Sequence, residues 1–120
     1  MALATVQVTG QFYASHWLPG HPRCGELHSH IWSYHVTITG EVNPETGMVA
    51  DFHDIKDRVE EFNGKTLNNF ESIGIPTSEN ICIYLATNLA WSNPTFTEVE
   101  VQISEKEGYV SAYTWPNKEE

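Results

Sequence analysis

Apolar and polar side chains alternate from Thr5 to Ala14, with Val6, Val8, Phe12 and Ala14 set against Thr5, Gln7, Thr9 and Gln11. A period of two predicts a half-buried strand, and His16 continues the apolar set at its end. Ser15 to Leu27 contains Pro19-Gly20 and Pro22 and reads as a loop. Alternation returns from His28 to Val42: Trp32, Tyr34, Val36 and Ile38 share a face with His28 and His30, while Ser33, His35, Thr37 and Thr39 point away. After the turn Asn43-Pro44-Glu45-Thr46-Gly47, the residues Phe52, Ile55, Val59 and Phe62 recur at helical spacing until Asn63-Gly64 stops them. A second helix opens at Pro76-Thr77-Ser78, where a hydroxyl can cap free backbone N–H groups, carries Ile81, Leu85 and Leu89, and ends before Ser92-Asn93-Pro94. Val99, Val101 and Ile103 then alternate with Glu98, Glu100 and Gln102, and Gly108 separates that strand from another spanning Tyr109 to Trp115. The order strand, strand, helix, helix, strand, strand predicts an α+β class: a four-stranded antiparallel sheet with two helices on one face. Pro116 to Glu120 reads as a frayed tail.

The 120 residues suit a single domain, 1–120, with its own core. Sixteen acidic side chains against six basic ones give a formal charge of -10, and the basic ones are scattered from Arg23 to Lys118. That balance argues against nucleic acid as a partner. No apolar run reaches the roughly 18 residues of a membrane span, and Met1-Ala2-Leu3-Ala4 leads into a strand pattern without a signal-peptide charge block, so the cytoplasm is the expected compartment. Cys24 in a loop and Cys82 in a helix are expected as reduced thiols.

His28 and His30, one residue apart, project from one strand face. With His16 at the end of another apolar face, three imidazoles can converge and leave one coordination position open, as catalytic zinc sites do. Each histidine also has a plainer reading as a hydrogen-bonded core residue. Cys24, four residues before His28, is a candidate reactive thiol. Glu105 keeps the parity of Val99, Val101 and Ile103, and a carboxylate on a buried face requires a partner.

Taken together, Phe12-Tyr13-Ala14-Ser15-His16, Cys24-Gly25-Glu26-Leu27-His28-Ser29-His30, Thr46-Gly47-Met48-Val49-Ala50-Asp51-Phe52, Leu67-Asn68, Pro76-Thr77-Ser78-Glu79-Asn80 and Glu105 resemble the 6-pyruvoyltetrahydropterin and 6-carboxytetrahydropterin synthase family, most closely its bacterial 6-carboxytetrahydropterin synthases. The resemblance covers nearly the whole chain. It implies a tunnelling fold whose sheets join into an oligomeric barrel, a homohexamer of stacked trimers with sites between subunits. It further implies zinc held by His16, His28 and His30, proton transfer through Cys24, and pterin recognition by Glu105 with Thr77 and Ser78 nearby. The implied reaction is a carbon–carbon lyase step converting 7,8-dihydroneopterin triphosphate to 6-carboxy-5,6,7,8-tetrahydropterin, on the route to queuosine and other 7-deazaguanines.

The chain departs from that pattern in three places. The family's Leu-Asp-His segment, whose Asp and His complete the proton relay, is here Phe62-Asn63-Gly64, so both titratable groups are missing. Ser29 replaces a glycine between the histidines, and Glu26 stands where a basic residue is usual, leaving Arg23 and Lys106 as phosphate partners. His21 and His53 are the candidates to replace the relay histidine, with a surface role as the alternative; His35 is expected on the polar face. Asp51 either orients a metal-bound histidine or caps the helix that follows, and Glu60-Glu61 reads as a solvated helix face. Two further readings stay open: a pterin- or purine-binding zinc protein without catalysis, and an aldolase-like enzyme acting on an unphosphorylated dihydropterin.

Overall fold

In the computed structural model, which describes residues 2–117, the two long alternating segments form one hairpin. Strands β1 (Leu3–His16) and β2 (His28–Glu41) pair antiparallel along their whole length, from Leu3 opposite Glu41 to His16 opposite His28. β4 (Phe96–Lys106) pairs antiparallel with β2, and β5 (Tyr109–Trp115) with β4.

The sheet has five strands rather than four. β3 (Lys65–Thr66) runs parallel to β1 at its free edge, giving the order β3-β1-β2-β4-β5. Two residues are too few to carry a period, and the strand is placed by the turn before it. There the Tyr13 N–H donates to Asn63 Oδ1 (2.9 Å) and the Gly64 N–H donates to the Tyr13 carbonyl (2.7 Å). Gly64 has φ 77°, a left-handed conformation that glycine adopts at little cost.

Both helices cover the face formed by Phe12, Trp32, Tyr34, Val36, Ile38, Val99, Val101 and Ile103, all buried. α1 (Phe52–Glu60) packs on β1 through Ile55 and Val59, and α2 (Ser78–Ser92) packs on β4 and β5 through Ile81, Leu85 and Leu89. Asp51 caps α1 by accepting the His53 N–H, and Thr77 caps α2 by accepting the Asn80 N–H at 3.1 Å. α1 ends at Glu60, two residues before Phe62, which remains buried in the turn that follows. Glu60 is not purely solvated: it accepts a hydrogen bond from the Tyr34 hydroxyl (2.5 Å) and lies 3.3 Å from Lys56 Nζ. Gly10 makes room for that phenol, since a Cβ there would lie 2.5 Å from its oxygen.

The opposite face of the sheet carries Gln7, Thr9, Gln11, Ser33, Thr37, Glu98, Glu100 and Gln102; His35 lies there too, paired with Thr9 and Gln102. No helix among the described residues is long and apolar enough to cross a membrane.

Candidate metal centre

The hairpin register assembles the histidines. His16 and His28 are direct cross-strand partners, and His30, on the same face as His28, lies opposite Ala14, whose methyl leaves room for a large neighbour. Ring centroids are 4.6 Å apart for His16–His28, 5.3 Å for His16–His30 and 4.8 Å for His28–His30. Trp32 forms the floor, edge-on to His16 at 4.8 Å and to His30 at 5.4 Å, and its indole N–H donates to the Ala14 carbonyl.

Backbone carbonyls set the tautomers. His16 Nδ1 lies 2.8 Å from the Pro76 oxygen, and His28 Nδ1 lies 2.7 Å from the Glu26 oxygen. A carbonyl can only accept, so both Nδ1 atoms carry the proton and both Nε2 lone pairs are available. Partners of this kind orient the imidazoles of metal sites, and Asp51 is not one of them: its carboxylate serves the α1 cap and His53. Burial, the largest influence, lowers the pKa of His16 against the raising effect of the Pro76 hydrogen bond. Burial likewise lowers that of His30, opposed by the Glu105 charge. Neutral imidazole is the form that binds metal.

Glu105 joins this group. The β4–β5 register shifts between Ser104 and Lys106, and the extra residue is Glu105. A bulge of this kind redirects a side chain. Glu105 Oε1 sits 2.7 Å from His30 Nε2 and 3.9 Å from His16 Nε2. One potential ligand atom from each of His16, His28, His30 and Glu105 lies within 4.8 Å of the other three, so the set could hold a metal ion. Three nitrogens and one carboxylate oxygen suit zinc.

The remaining predicted residues lie outside this four-residue group. Pro76, whose carbonyl holds His16, leads directly into Thr77 and Ser78; Thr77 serves as the helix cap and the Ser78 hydroxyl lies 2.7 Å from that of Ser111. Cys24 is half-buried in the loop between β1 and β2, outside the four-residue set. The Leu18 N–H donates to its carbonyl (2.7 Å), and its own N–H, with that of Arg23, donates to His21 Nδ1 at 2.9 and 3.1 Å. His21 therefore carries its proton on Nε2 and spends its basic lone pair on the loop. Cys82, in contrast, is buried, donates to the Ser111 carbonyl, and is pushed up to about 12 by burial, which makes it an inert thiol. Replacing His21 with alanine should release the loop and change the rate of Cys24 alkylation by iodoacetamide several-fold. Asparagine, which offers an acceptor at the Nδ1 position, should restore the wild-type rate.

His53 stands 88% exposed at the first turn of α1, with Nδ1 3.0 Å from Asp51 Oδ1. The polypeptide reaches that turn from the Glu41 end of β2, the end away from His28. Asn63 and Gly64 are committed to the Tyr13 backbone. A cavity of about 800 Å³ lies at the same far end, lined by Glu41, Asn43, Asp51, Asp54, Arg58 and Phe96 among others. It does not include the histidines.

The histidines are legible from their spacing, whereas the approach of Glu105 depends on the bulge and the two orienting carbonyls leave no mark in any side-chain pattern.

Residues 5–115 match the family model described as 6-pyruvoyl tetrahydropterin synthase. A protein of Archaeoglobus fulgidus, provisionally named 6-carboxy-5,6,7,8-tetrahydropterin synthase, is 42% identical over 103 residues, covering 83% of this chain and 88% of that protein. The human 6-pyruvoyl tetrahydrobiopterin synthase is 28% identical over 95 residues, which cover 72% of this chain and 65% of the human one. Among solved structures, the Caenorhabditis elegans 6-pyruvoyl tetrahydropterin synthase superposes with a TM-score of 0.71 at 26% identity, covering 94% of this chain and 96% of that one.

Proposed function

The chain belongs to the 6-pyruvoyl tetrahydropterin synthase family, and from that premise we propose that it is a zinc-dependent enzyme of the 6-carboxytetrahydropterin synthase type, a carbon–carbon lyase acting on 7,8-dihydroneopterin triphosphate. The observation that carries the reading is the convergence of His16, His28 and His30, the first two already oriented by backbone carbonyls. Zinc, when bound, would acidify the hydroxyls of the substrate side chain and stabilise the enolate-like charge that develops there. The chain's own residues do the rest. Glu105 accepts the paired N–H groups of the pterin, as a carboxylate can, and Thr77 and Ser78 add further pterin contacts. Cys24 moves protons along the substrate side chain, and Arg23 and Lys106 meet the triphosphate.

His16 is fully buried while His28, His30 and Glu105 keep part of their surface exposed, so a substrate held there by one chain would be open on one side and a second copy would wall it off. This supports an assembly that places sites between subunits, a homohexamer in the family pattern. The second relay group cannot be Asn63 or Gly64, and His21 has its lone pair engaged. Of the two relay candidates, His53, exposed and paired with Asp51, is the one whose place could let it serve from a neighbouring copy. Two unpaired thiols suit a reduced, cytoplasmic setting and a place on the queuosine route.

A second reading has one observation in its favour: the relay segment has been converted into a backbone clamp on β1, which suits a pterin-binding protein without turnover. Following dihydropterin absorbance and fluorescence separates the two. Zinc-loaded protein should consume the substrate, and Cys24→Ala should bind it with similar affinity while consuming it roughly 10²–10⁴-fold more slowly, the scale of one positioned acid or base. Binding without consumption by the wild-type protein would overturn the enzyme reading.

A further inference from the structure

We propose that Glu105 is a switch: in the substrate-free protein its carboxylate closes the fourth position of the metal, and it gives that position up when a pterin binds. The inference rests on the reading of the site as a metal-dependent pterin site, and it concerns what one residue does in two states of that site.

The contact between Glu105 and His30 is what points to it. Oε1 and Nε2 are 2.7 Å apart, close enough for a strong charge-assisted hydrogen bond. Yet His30 Nε2 is among the buried atoms that have no hydrogen-bond partner, as is His16 Nε2, so the approach lacks the alignment of an N–H donating to an oxygen. Two donor atoms that close and out of line with each other are arranged as neighbours facing a shared point. The other two imidazoles face the same point, because their Nδ1 atoms are turned to the Pro76 and Glu26 carbonyls. The bulge at Ser104–Lys106 supplies the cause on the carboxylate's side, and a side chain only 24% exposed has little water to hold it elsewhere.

The chemistry then imposes a choice. Three imidazoles and one carboxylate complete a tetrahedral shell, whereas substrate hydroxyls need an open position. A carboxylate oxygen turned to the metal cannot also form the pair of parallel bonds that a pterin's amino and ring N–H groups would make. Pterin and metal therefore compete for Glu105. Pterin binding opens the metal at the moment the substrate side chain arrives, and an empty site stays shut to water and small anions.

Cobalt(II) in place of zinc makes the coordination visible, with 7,8-dihydroneopterin as the probe and its fluorescence as an independent measure of binding. Wild-type protein should show the intense visible absorption of four-coordinate cobalt, and the probe should change it. Glu105→Gln, nearly the same in size, should hold cobalt and zinc roughly tenfold or more less tightly, and should show a different spectrum from the start that the probe leaves alone. Glu105→Asp retains the carboxylate and should fall between, and far-ultraviolet circular dichroism of each variant confirms the fold. Equal metal affinity and identical spectra for wild type and Glu105→Gln would overturn the proposal, as would probe binding that leaves the wild-type spectrum unchanged; both results leave the pterin-site reading standing. A wild-type protein that binds cobalt but not the probe overturns the pterin-site reading instead, and one that binds no cobalt overturns both.

Discussion

Replacing His16 with alanine should lower zinc affinity by well over 10²-fold, since even the residues that only orient metal ligands are worth roughly 10- to 100-fold. His16 is the ligand candidate with no exposed surface, and its Nδ1 is held by Pro76 at the start of the segment that caps α2. The substitution therefore reaches beyond the metal. It removes a hydrogen bond between β1 and the Pro76 loop and leaves a buried carbonyl without that donor, a loss of about 1–3 kcal/mol. His28→Ala, whose Nδ1 bonds to the nearby Glu26 carbonyl, should lose metal to a similar degree with a smaller effect on stability. Metal content after dialysis against a competing chelator, with thermal unfolding of the metal-free proteins, separates the two contributions. Retention of stoichiometric zinc by His16→Ala would remove it from the ligand set.

Trp32→Ala should be the most destabilising single change near the site. The indole is fully buried, stacks on Phe12 at 6.0 Å, and supports His16 and His30 from below. Truncating a buried tryptophan costs about 3–5 kcal/mol through lost transfer energy and the cavity left behind. For a chain of this size that is on the order of 10–20 °C in Tm. The same cavity frees two imidazoles to leave their rotamers, so zinc affinity should fall by about tenfold in whatever fraction remains folded. Trp32→Phe keeps most of the packing but removes the donor to the Ala14 carbonyl, and should cost about 1–3 kcal/mol. Calorimetric unfolding and a zinc titration of both variants check the order; a Trp32→Ala protein as stable as wild type would mean that the floor of the site is not where its rigidity comes from.

What the sequence revealed and what it hid follow the reach of each signal. Period two placed β1, β2, β4 and β5 and put His28, His30 and Glu105 on the buried face, because one-sided burial leaves its mark at every second residue. β3 has only Lys65 and Thr66, and its existence depends on Asn63 and Gly64 reaching Tyr13 on another strand. The role of Asp51 was open between two local possibilities, and the cap prevailed, since the His53 N–H lies within its reach at 2.8 Å. Glu60 looked solvated along α1 because its partner, Tyr34, belongs to β2 and reaches it only where Gly10 leaves space. The approach of Glu105 to His30 was hidden for a similar reason: parity gives the face, but a one-residue bulge decides where on that face the carboxylate ends.

An enzyme of the 6-carboxytetrahydropterin synthase type is defined by the mass of its product. Zinc-loaded protein incubated with 7,8-dihydroneopterin triphosphate and analysed by liquid chromatography with mass spectrometry should yield 6-carboxy-5,6,7,8-tetrahydropterin, and neither Cys24→Ala nor His16→Ala should produce it at a comparable rate. Substrate recovered unchanged would mean that the chain does not run this reaction, and a product formed equally well without Cys24 would take that thiol out of the proton transfer.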